Sequence, residues 1–254
     1  MKPYIYMFPV ILLVIFAITN KGYTETNQSD QLYGKVLRTY VKDGLVDYLG
    51  LKNNPENLKQ FLNQSSSINE ETFNKWNKDQ QLAFLINLYN AQTLALVTEN
   101  YPVKSFKDIA SDSGGPWKQP IVNLFGEKIT LNTLENEVIR PKYHDPRIHF
   151  ALVCAALGCP VLINTPYDPM KLDNQLDQQT KVFITDQNKN SIDKNQNVLM
   201  LSPIFDWFKE DFIAKSGSVI EFVNPYFGNQ VNNEFKIEYT NYDWSLNDQA
   251  PMKK

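Results

Sequence analysis

The sequence predicts an α+β fold: a helix-rich single domain around a buried central helix, with a small, mainly antiparallel sheet. The central helix is predicted over residues 77–100, because residues 82–97 are apolar almost all round, as in a helix buried on every side. The stretch 121–131, with Gly126 in its turn, predicts a strand hairpin. No repeat or linker divides the chain after residue 30, so one domain is expected.

The composition is that of a globular protein. A chain of 254 residues, 43% of them hydrophobic, is long enough to bury a full core. Its net charge of −3 gives no electrostatic reason to expect nucleic acid or an anionic membrane surface as a partner. We expect an unknown small-molecule or peptide substrate, no cofactor, and contact with a membrane only through the N-terminal segment.

The N-terminal segment differs from the rest of the chain. After the basic Lys2, residues 4–18 are apolar, and polar residues follow, which is typical of a secretory signal peptide. The apolar run of about 15 residues is shorter than the roughly 20 that span a bilayer. We therefore predict export to the periplasm or the exterior, with membrane anchoring as the alternative. The predicted organisation is a signal peptide or anchor (1–24), a tether and first helix (25–46), a globular domain (47–247) and a polar tail (248–254).

Local signals predict the remaining elements. Asn132 and Glu135 have the spacing of a capping box, which would open a short helix closed by Pro141. Residues 148–153 predict a buried strand, because they form a short apolar run after a turn. The aromatic stretch 237–248 is expected to lie back on the body. Further helices are expected over residues 168–184 and 203–212.

The residues able to do chemistry near neutral pH are concentrated in the window 140–160. Imidazole and thiol groups titrate nearest to neutral pH, and guanidinium groups bind carboxylates. We therefore expect any chemistry of this protein to lie in this window. It contains both histidines, both cysteines and two of the three arginines: His144, His149, Cys154, Cys159, Arg140 and Arg147.

Four ordered stretches resemble the family known as domain of unknown function 547, and the resemblance is to an exported bacterial member. They read AFLINLYNAQTLALVTENYP, ITLNTLENEVIRP, IHFALVCAALGCP and YTNYDWSLN, and the resemblance covers about residues 47–247. The family's His-Phe-Ala-Leu-x-Cys core matches His149 and Cys154, whereas its usual Trp in the central helix is replaced by Phe84 or Leu85. The resemblance implies a fold and a set of motifs but no reaction.

The first functional hypothesis is a thiol enzyme that hydrolyses or transfers at an amide or thioester. Cys154 would be the nucleophile, and an adjacent imidazole, His149, would lower the pKa of its thiol. Glu135 could orient the imidazole, as the third member of such a site commonly does. On a continuous strand, however, His149 and Cys154 would face opposite sides.

Four further residues are candidates for substrate binding. Arg140 or Arg147 could hold a substrate carboxylate through two parallel hydrogen bonds. Asn87 and Asn90 share a face of the central helix and could donate to an oxyanion. Structural interpretations stand beside these: the asparagines as ties to loops and Arg147 in a local ion pair. The capping box would likewise account for Glu135.

Other interpretations of the window remain open. Steps of five residues between His144, His149, Cys154 and Cys159 differ from the closer ligand spacing of zinc sites, so no metal is predicted. A disulfide between the two cysteines requires a tight loop through Gly158, because five residues of strand would span roughly 16 Å. A non-catalytic envelope module that binds peptide, glycan or protein is the alternative function. A papain-like arrangement is compatible with the fold class and requires Cys154 at the start of a helix.

Overall fold

The computed structural model describes residues 31–250. The predicted signal peptide or anchor lies outside these residues. The predicted fold class is confirmed, because the chain forms a helix-rich α+β domain with small, mainly antiparallel sheets. In the part of the chain that is described, none of the helices has the length and apolar character needed to cross a membrane.

A long central helix, α5 (Lys78–Asn100), organises the first half of the domain. It begins with a capping box, in which the Asn77 side chain accepts a hydrogen bond from the Gln80 backbone and the Gln80 side chain accepts one from Asn77. Nearly all residues from Gln81 to Thr98 are buried, as the apolar pattern predicts. The preceding helices are residues 31–40 (α1), Tyr48–Asn53 (α2), Glu56–Ser66 (α3) and Glu70–Asn74 (α4).

The strands form three small sheets. The predicted hairpin is confirmed as antiparallel β3 and β4, joined by Phe125 and Gly126, whose positive φ angles of 54° and 87° are those of a tight hairpin turn. In the third sheet, β6 lies between β5, which is antiparallel to it, and β7, which is parallel. The strands are Val41–Lys42 (β1), Leu45–Val46 (β2), Val122–Leu124 (β3), Glu127–Ile129 (β4), Ser191–Asp193 (β5), Val198–Leu201 (β6) and Lys236–Tyr239 (β7).

Two hydrophobic clusters meet at the segment 146–154. Ile148 and Ala151 belong to the larger cluster around α5, whereas Phe150 packs into a second cluster with Phe205 and Phe212. This segment therefore runs between the two clusters. The remaining helices are Leu131–Thr133 (α6), a π-helix over Leu134–Ile139, Arg140–Tyr143 (α7), Leu172–Thr185 (α8), Ile204–Trp207 (α9), Lys209–Ser216 (α10) and Val219–Val223 (α11). Single 3₁₀ turns are Phe106–Asp108, Ser111–Ser113, Pro116–Lys118, Pro146–Phe150 and Asn224–Phe227.

The aromatic C-terminal stretch lies back on the body, as predicted. The Asn247 backbone accepts a hydrogen bond from Val46 at 2.8 Å and donates to Ala155 at 3.0 Å. Its side chain accepts a hydrogen bond from the buried Tyr48 hydroxyl at 2.8 Å. Asn247 therefore ties the first hairpin to the loop that contains both cysteines.

Candidate functional site

The π-helix places Glu135 and Arg140 on the same side of one helical segment. In an α-helix, residues five apart point about 140° away from each other. Here the Arg140 backbone N–H bonds to the Glu135 carbonyl, the i+5 to i pattern of a π-helix, so the two residues lie on successive turns. Pro141 accounts for the widened turn, because it has no N–H and its ring would clash with the carbonyl four residues earlier.

The predicted capping box at Asn132 and Glu135 is wrong. The helix begins two residues earlier, where the Thr130 side chain accepts a hydrogen bond from the Thr133 backbone at 2.9 Å. Pro141 does not close the helix, which continues to Tyr143. Glu135 is therefore not used as a cap, and its carboxyl is free to serve in the interior.

His149 lies on a single 3₁₀ turn, and the predicted strand over residues 148–153 is wrong. The Asp145 side chain caps this turn by accepting from the Arg147 backbone, and Pro146 fills its first position. After the turn, Asn90 of α5 binds the chain on both sides of Leu152: its Nδ2 donates to the Ala151 carbonyl at 2.9 Å, and its Oδ1 accepts from Val153 at 3.0 Å. These bonds take the place of strand pairing.

The imidazole of His149 lies between two carboxyl groups. Its Nε2 is 2.7 Å from Asp211 Oδ2, and its Nδ1 is 3.9 Å from Glu135 Oε1. The His149 side chain is 0% exposed, and Nδ1 has no hydrogen-bond partner among the described residues. The ring also stacks on Phe208 of the segment joining α9 and α10, with centroids 3.8 Å apart. Packing and one short hydrogen bond thus fix the orientation of the ring.

The charge of Asp211 determines which nitrogen of His149 carries the proton. Although partial burial acts in the opposite direction, hydrogen bonds from His149 and Arg140 hold the pKa of Asp211 well below its usual range. Asp211 is therefore a carboxylate that can only accept, so Nε2 donates and Nδ1 presents a lone pair. Burial lowers the pKa of His149, against the opposing effect of Asp211, so the ring is neutral at neutral pH.

Among Glu135, His149 and Asp211, Glu135 has the pKa nearest to neutral pH. Its Oε2 accepts a hydrogen bond from the Tyr89 hydroxyl at 3.1 Å, and its side chain is 11% exposed. Burial raises the pKa of Glu135 to about 7, although Tyr89 and the nearby charge of Arg140 act to lower it. A carboxyl group in this state can both give and accept a proton at neutral pH.

Cys154 and Cys159 form a disulfide, with their Cα atoms 6.0 Å apart. The tight loop expected through Gly158 is present, and the Gly158 N–H donates to the Asp243 carbonyl at 2.8 Å. The thiolate required for nucleophilic attack is not present in this disulfide form, so a catalytic role for Cys154 stays a prediction for the reduced protein. The papain-like arrangement requires Cys154 at the start of a helix, but Cys154 lies in an irregular segment.

The remaining polar contacts separate His149 from Cys154. The Cys154 sulfur contacts the Tyr242 hydroxyl at 3.2 Å, whereas the polar contacts of His149 are with Asp211 and Glu135. Burial raises the pKa of the Tyr242 hydroxyl, and the negative charge of Glu135 raises it further. Glu135 is therefore near His149, and Tyr242 contacts the disulfide.

The four predicted substrate-binding residues have partners within the protein. Arg140 makes a bidentate ion pair with Asp211, at 2.8 and 3.0 Å. Arg147 pairs with Asp145, as its structural interpretation predicts, and also with Asp173 and Asp177 of α8. Both arginines are therefore held in internal ion pairs, and their role in binding a substrate carboxylate stays a prediction.

Asn87 and Asn90 are ties to loops, which was one of their two interpretations. The Asn87 side chain bonds to both backbone groups of Tyr167, each at 2.9 Å, and Asn90 holds the segment after His149 in the same way. Both side chains are buried. Their structural role is thus established, and their role as oxyanion donors stays a prediction.

An aromatic cluster beside the disulfide was not predicted as part of the site. It is formed by side chains from three separate parts of the chain, and its rings contact one another with centroids 4.5 to 5.9 Å apart. Trp207 is 49% exposed, so the cluster has a solvent-facing surface. The aromatic cluster consists of Trp117, Trp207, Tyr242 and Trp244.

The window 140–160 does not form a metal site in the described part of the chain. Within residues 31–250, no group of three or more His, Cys, Asp or Glu residues has a geometry that could hold a metal ion. His144 is exposed at the end of α7, and both cysteines are in the disulfide.

Comparison with known proteins gives one match. Residues 73–184 match the model of the family described as "Protein of unknown function, DUF547". This stretch, which is less than half of the chain, is therefore similar to that family. The match is narrower than the resemblance over residues 47–247 that the sequence motifs indicate. A search of curated proteins finds no match, and a search of solved structures also finds none.

The candidate site extends beyond the DUF547 match. Glu135, Arg140, His149 and the disulfide lie within the matched residues, whereas Asp211 and Tyr242 lie outside them. Asp211 carries no local signal in the sequence, because it follows two other charged residues on an amphipathic helix, α10, and resembles a solvated side chain. Its pairing with His149 depends on the packing of the second hydrophobic cluster.

Proposed function

We propose that this protein is a hydrolase or transferase that acts on an amide or thioester, with Glu135 as its general acid–base. The observation that carries the proposal is the placement of the Glu135 carboxyl: Tyr89 binds one oxygen, and the other faces the unprotonated Nδ1 of His149 at 3.9 Å. Asp211 holds the opposite nitrogen of the same ring at 2.7 Å. Catalytic carboxyls with a pKa near the working pH are favourable because they transfer protons in both directions.

The chemistry follows from the two protonation states of Glu135. As a carboxylate it takes a proton from water, whose oxygen attacks the acyl carbon of the substrate. As a carboxylic acid it then gives that proton to the departing nitrogen or sulfur, so the carboxylate is restored. His149 acts as a positioning residue, because its buried neutral ring adds no positive charge that would lower the pKa of Glu135.

The nucleophile in this proposal is water as long as the disulfide is intact. In reduced protein, Cys154 would be available instead, and Glu135 would serve as its base. The two forms differ in one measurable way: a Cys154→Ser, Cys159→Ser double variant retains turnover if water attacks and loses it if Cys154 attacks.

The test is turnover of amino-acid p-nitroanilides and acyl thioesters by the purified protein between pH 5 and 9. We expect Glu135→Gln to lower kcat by about 100-fold or more, since general acid–base catalysis contributes that much. Glu137→Gln is the matched control, because Glu137 is exposed on the same helical segment. Equal turnover by wild type and Glu135→Gln, or no turnover of the panel by wild type, would overturn the enzyme proposal.

A second candidate is a binding module for peptide or glycan, which the aromatic cluster favours. Exposed Trp207 beside Trp244 and Tyr242 offers flat ring faces, and the Lys107 ammonium lies 4.3 Å from the Trp244 ring centroid. Such rings stack on apolar faces of ligands while polar groups at their edges bind substituents. Titration of tryptophan fluorescence with chitotriose and with aromatic tripeptides tests this function. Trp207→Ala should abolish the change, and no change in wild type would exclude these ligands.

We also propose that the protein is exported and that its partner is a small molecule or peptide. The disulfide supports export, because disulfides persist in oxidising compartments and are rare in the cytosol. Cell fractionation with thiol labelling would test it. Recovery of the chain in the exported fraction, with both cysteines resistant to alkylation before reduction, is expected. Full-length chain with free thiols in the cytosol would contradict export.

A further inference from the structure

The two sulfurs of the Cys154–Cys159 disulfide have different surroundings. Cys154 is partly exposed, whereas Cys159 is 3% exposed. The Cys159 sulfur accepts a hydrogen bond from the Cys154 backbone N–H at 2.9 Å, and the Tyr242 hydroxyl lies 3.2 Å from both sulfurs. The backbone donor is thus directed at Cys159 alone, the hydroxyl is shared by the two sulfurs, and Cys154 is the more exposed residue of the pair.

We propose that this disulfide is a thiol–disulfide exchange site, in which an external thiolate attacks the sulfur of Cys154 and Cys159 leaves as a thiolate. The attacking sulfur forms a bond to Cys154 Sγ, and the Cys154–Cys159 bond breaks with its electron pair on Cys159 Sγ. A second external thiolate then displaces Cys154, so the protein gains two thiols and the external thiols become one disulfide.

The hydrogen bonds decide the direction of attack. Exchange is faster when the leaving sulfur is the better-stabilised thiolate, and hydrogen bonds to a charged acceptor are stronger than those to a neutral one. The backbone N–H of Cys154 is a permanent donor. Burial raises the pKa of Tyr242, so its hydroxyl keeps its proton and remains a donor when Cys159 becomes negative. The backbone N–H therefore stabilises a thiolate on Cys159 and not one on Cys154, and the shared hydroxyl donates to Cys159 once that sulfur carries the charge.

The surrounding backbone makes the reaction reversible. Leu157 donates to the Ser245 carbonyl at 2.9 Å and Gly158 donates to that of Asp243 at 2.8 Å, so the loop between the cysteines is bound to the C-terminal stretch. The Cys159 N–H also bonds to the Ala156 carbonyl at 3.1 Å. None of these bonds depends on the disulfide, so the two thiols remain close after reduction and can form the bond again.

The exchange activity can be tested apart from the hydrolase of the disulfide form. It uses Cys154, Cys159 and Tyr242, whereas the hydrolase of the disulfide form uses water and Glu135. Exchange that persists in Glu135→Gln, together with loss of turnover, separates the two activities. Each proposal can therefore fail without the other.

The test is incubation of the purified oxidised protein with reduced glutathione, followed by alkylation of free thiols and mass spectrometry. Chymotrypsin cleaves after Leu157, which separates the two cysteines. We expect the glutathione adduct on Cys154 and the alkyl group on Cys159. Tyr242→Phe should slow adduct formation by roughly tenfold, the effect of one hydrogen bond to a charged group. Tyr226→Phe is the control, because Tyr226 is half-buried, its ring contacts Phe222, and the hydroxyl that contacts the sulfurs is that of Tyr242.

Three results would overturn the proposal. The first is an adduct on Cys159, which would mean that the sulfurs have the opposite roles. The second is an equal rate in Tyr242→Phe and wild type, which would remove the hydroxyl from the reaction. The third is a disulfide that glutathione attacks only after urea unfolds the protein, which would make the bond purely structural.

Discussion

His149 and Asp211 are 62 residues apart in the chain, and their side chains meet at 2.7 Å. Arg140 binds the same carboxylate with two parallel hydrogen bonds, and its guanidinium lies 5.0 Å from the ring centroid of Phe208. Phe208 in turn stacks on His149. The orientation of the imidazole is therefore determined by one carboxylate, one guanidinium and one aromatic ring that contact each other.

Asp211→Asn should destabilise the protein and weaken the orientation of His149. In wild type, Arg140 and His149 donate to the two carboxylate oxygens of Asp211. The Asn side chain offers them one acceptor oxygen and no charge. We expect the free energy of unfolding at pH 7 to fall by about 2 kcal/mol, measured by urea denaturation. Glu210→Gln, the neighbouring exposed residue on α10, is the control and should change it by less than about 0.5 kcal/mol. An equal loss in both variants would show that the contact with His149 contributes nothing.

Glu135 should make the stability of the protein depend on pH. Its pKa is raised from 4.5 to about 7 in the folded protein, so the folded state binds the proton more tightly than the unfolded state does. Stability from this group is fully present below pH 4.5, falls as pH rises from 4.5 to 7, and is constant above. The lowered pKa of His149 has the opposite effect, a loss of stability as pH falls through 6.5, and therefore partly masks the change.

The contribution of Glu135 is isolated by comparison with Glu135→Gln. Between pH 4.5 and 7, the free energy of unfolding of wild type should fall by about 3 kcal/mol relative to this variant. Urea denaturation at half-unit pH intervals measures the difference. Glu137→Gln should follow wild type throughout. A constant difference between wild type and Glu135→Gln would show that Glu135 has an ordinary pKa.

Asn90→Ala should loosen the segment that follows His149. The substitution leaves the buried Ala151 carbonyl and Val153 N–H without their partner, which costs about 2–4 kcal/mol. Amide hydrogen exchange should become faster at Val153 and remain unchanged at Tyr167. Asn87→Ala gives the reverse pattern, because Asn87 binds Tyr167 in the same way. Faster exchange at both amides in both variants would mean general unfolding instead of local ties.

Gly158→Ala should displace the C-terminal stretch from the cysteine loop. A Cβ at this position would lie 2.9 Å from the Asp243 nitrogen and 3.0 Å from its oxygen, and backbone atoms cannot move away cheaply. We expect a loss of about 1–3 kcal/mol in the free energy of unfolding. Gly34→Ala is the contrast, because its Cβ would meet the flexible end of Arg38 and Gly34 lies in a helix. That variant should be as stable as wild type or more so.

Prediction from sequence succeeded where the signal is local or periodic. The apolar pattern of α5 needs no partner to be recognised, and Gly126 marks its hairpin through a turn that requires positive φ. The window 140–160 contains His149 and both cysteines of the disulfide, and Glu135 lies just before it; that chemistry takes place there stays a prediction.

Prediction failed where two signals compete or where the partner is distant. Thr130 and Asn132 are both good capping residues, and the sequence alone does not decide between them. Asp211 and Tyr242 reach the site through the folding of the second cluster and the return of the C-terminal stretch, neither of which has a local signal. The aromatic cluster is likewise assembled from three separate parts of the chain.

The π-helix limits how the length of this segment can change in related chains. A π-turn is an α-helix with one additional residue, so deletion of any residue between Glu135 and Arg140 would restore α-helical geometry. The deletion would also rotate everything beyond it by about 100° relative to everything before it. Either the carboxyl or the guanidinium could then keep its position, but not both. Aligned relatives that keep Glu and Arg here should therefore keep the number of residues between them, even where the intervening residues differ.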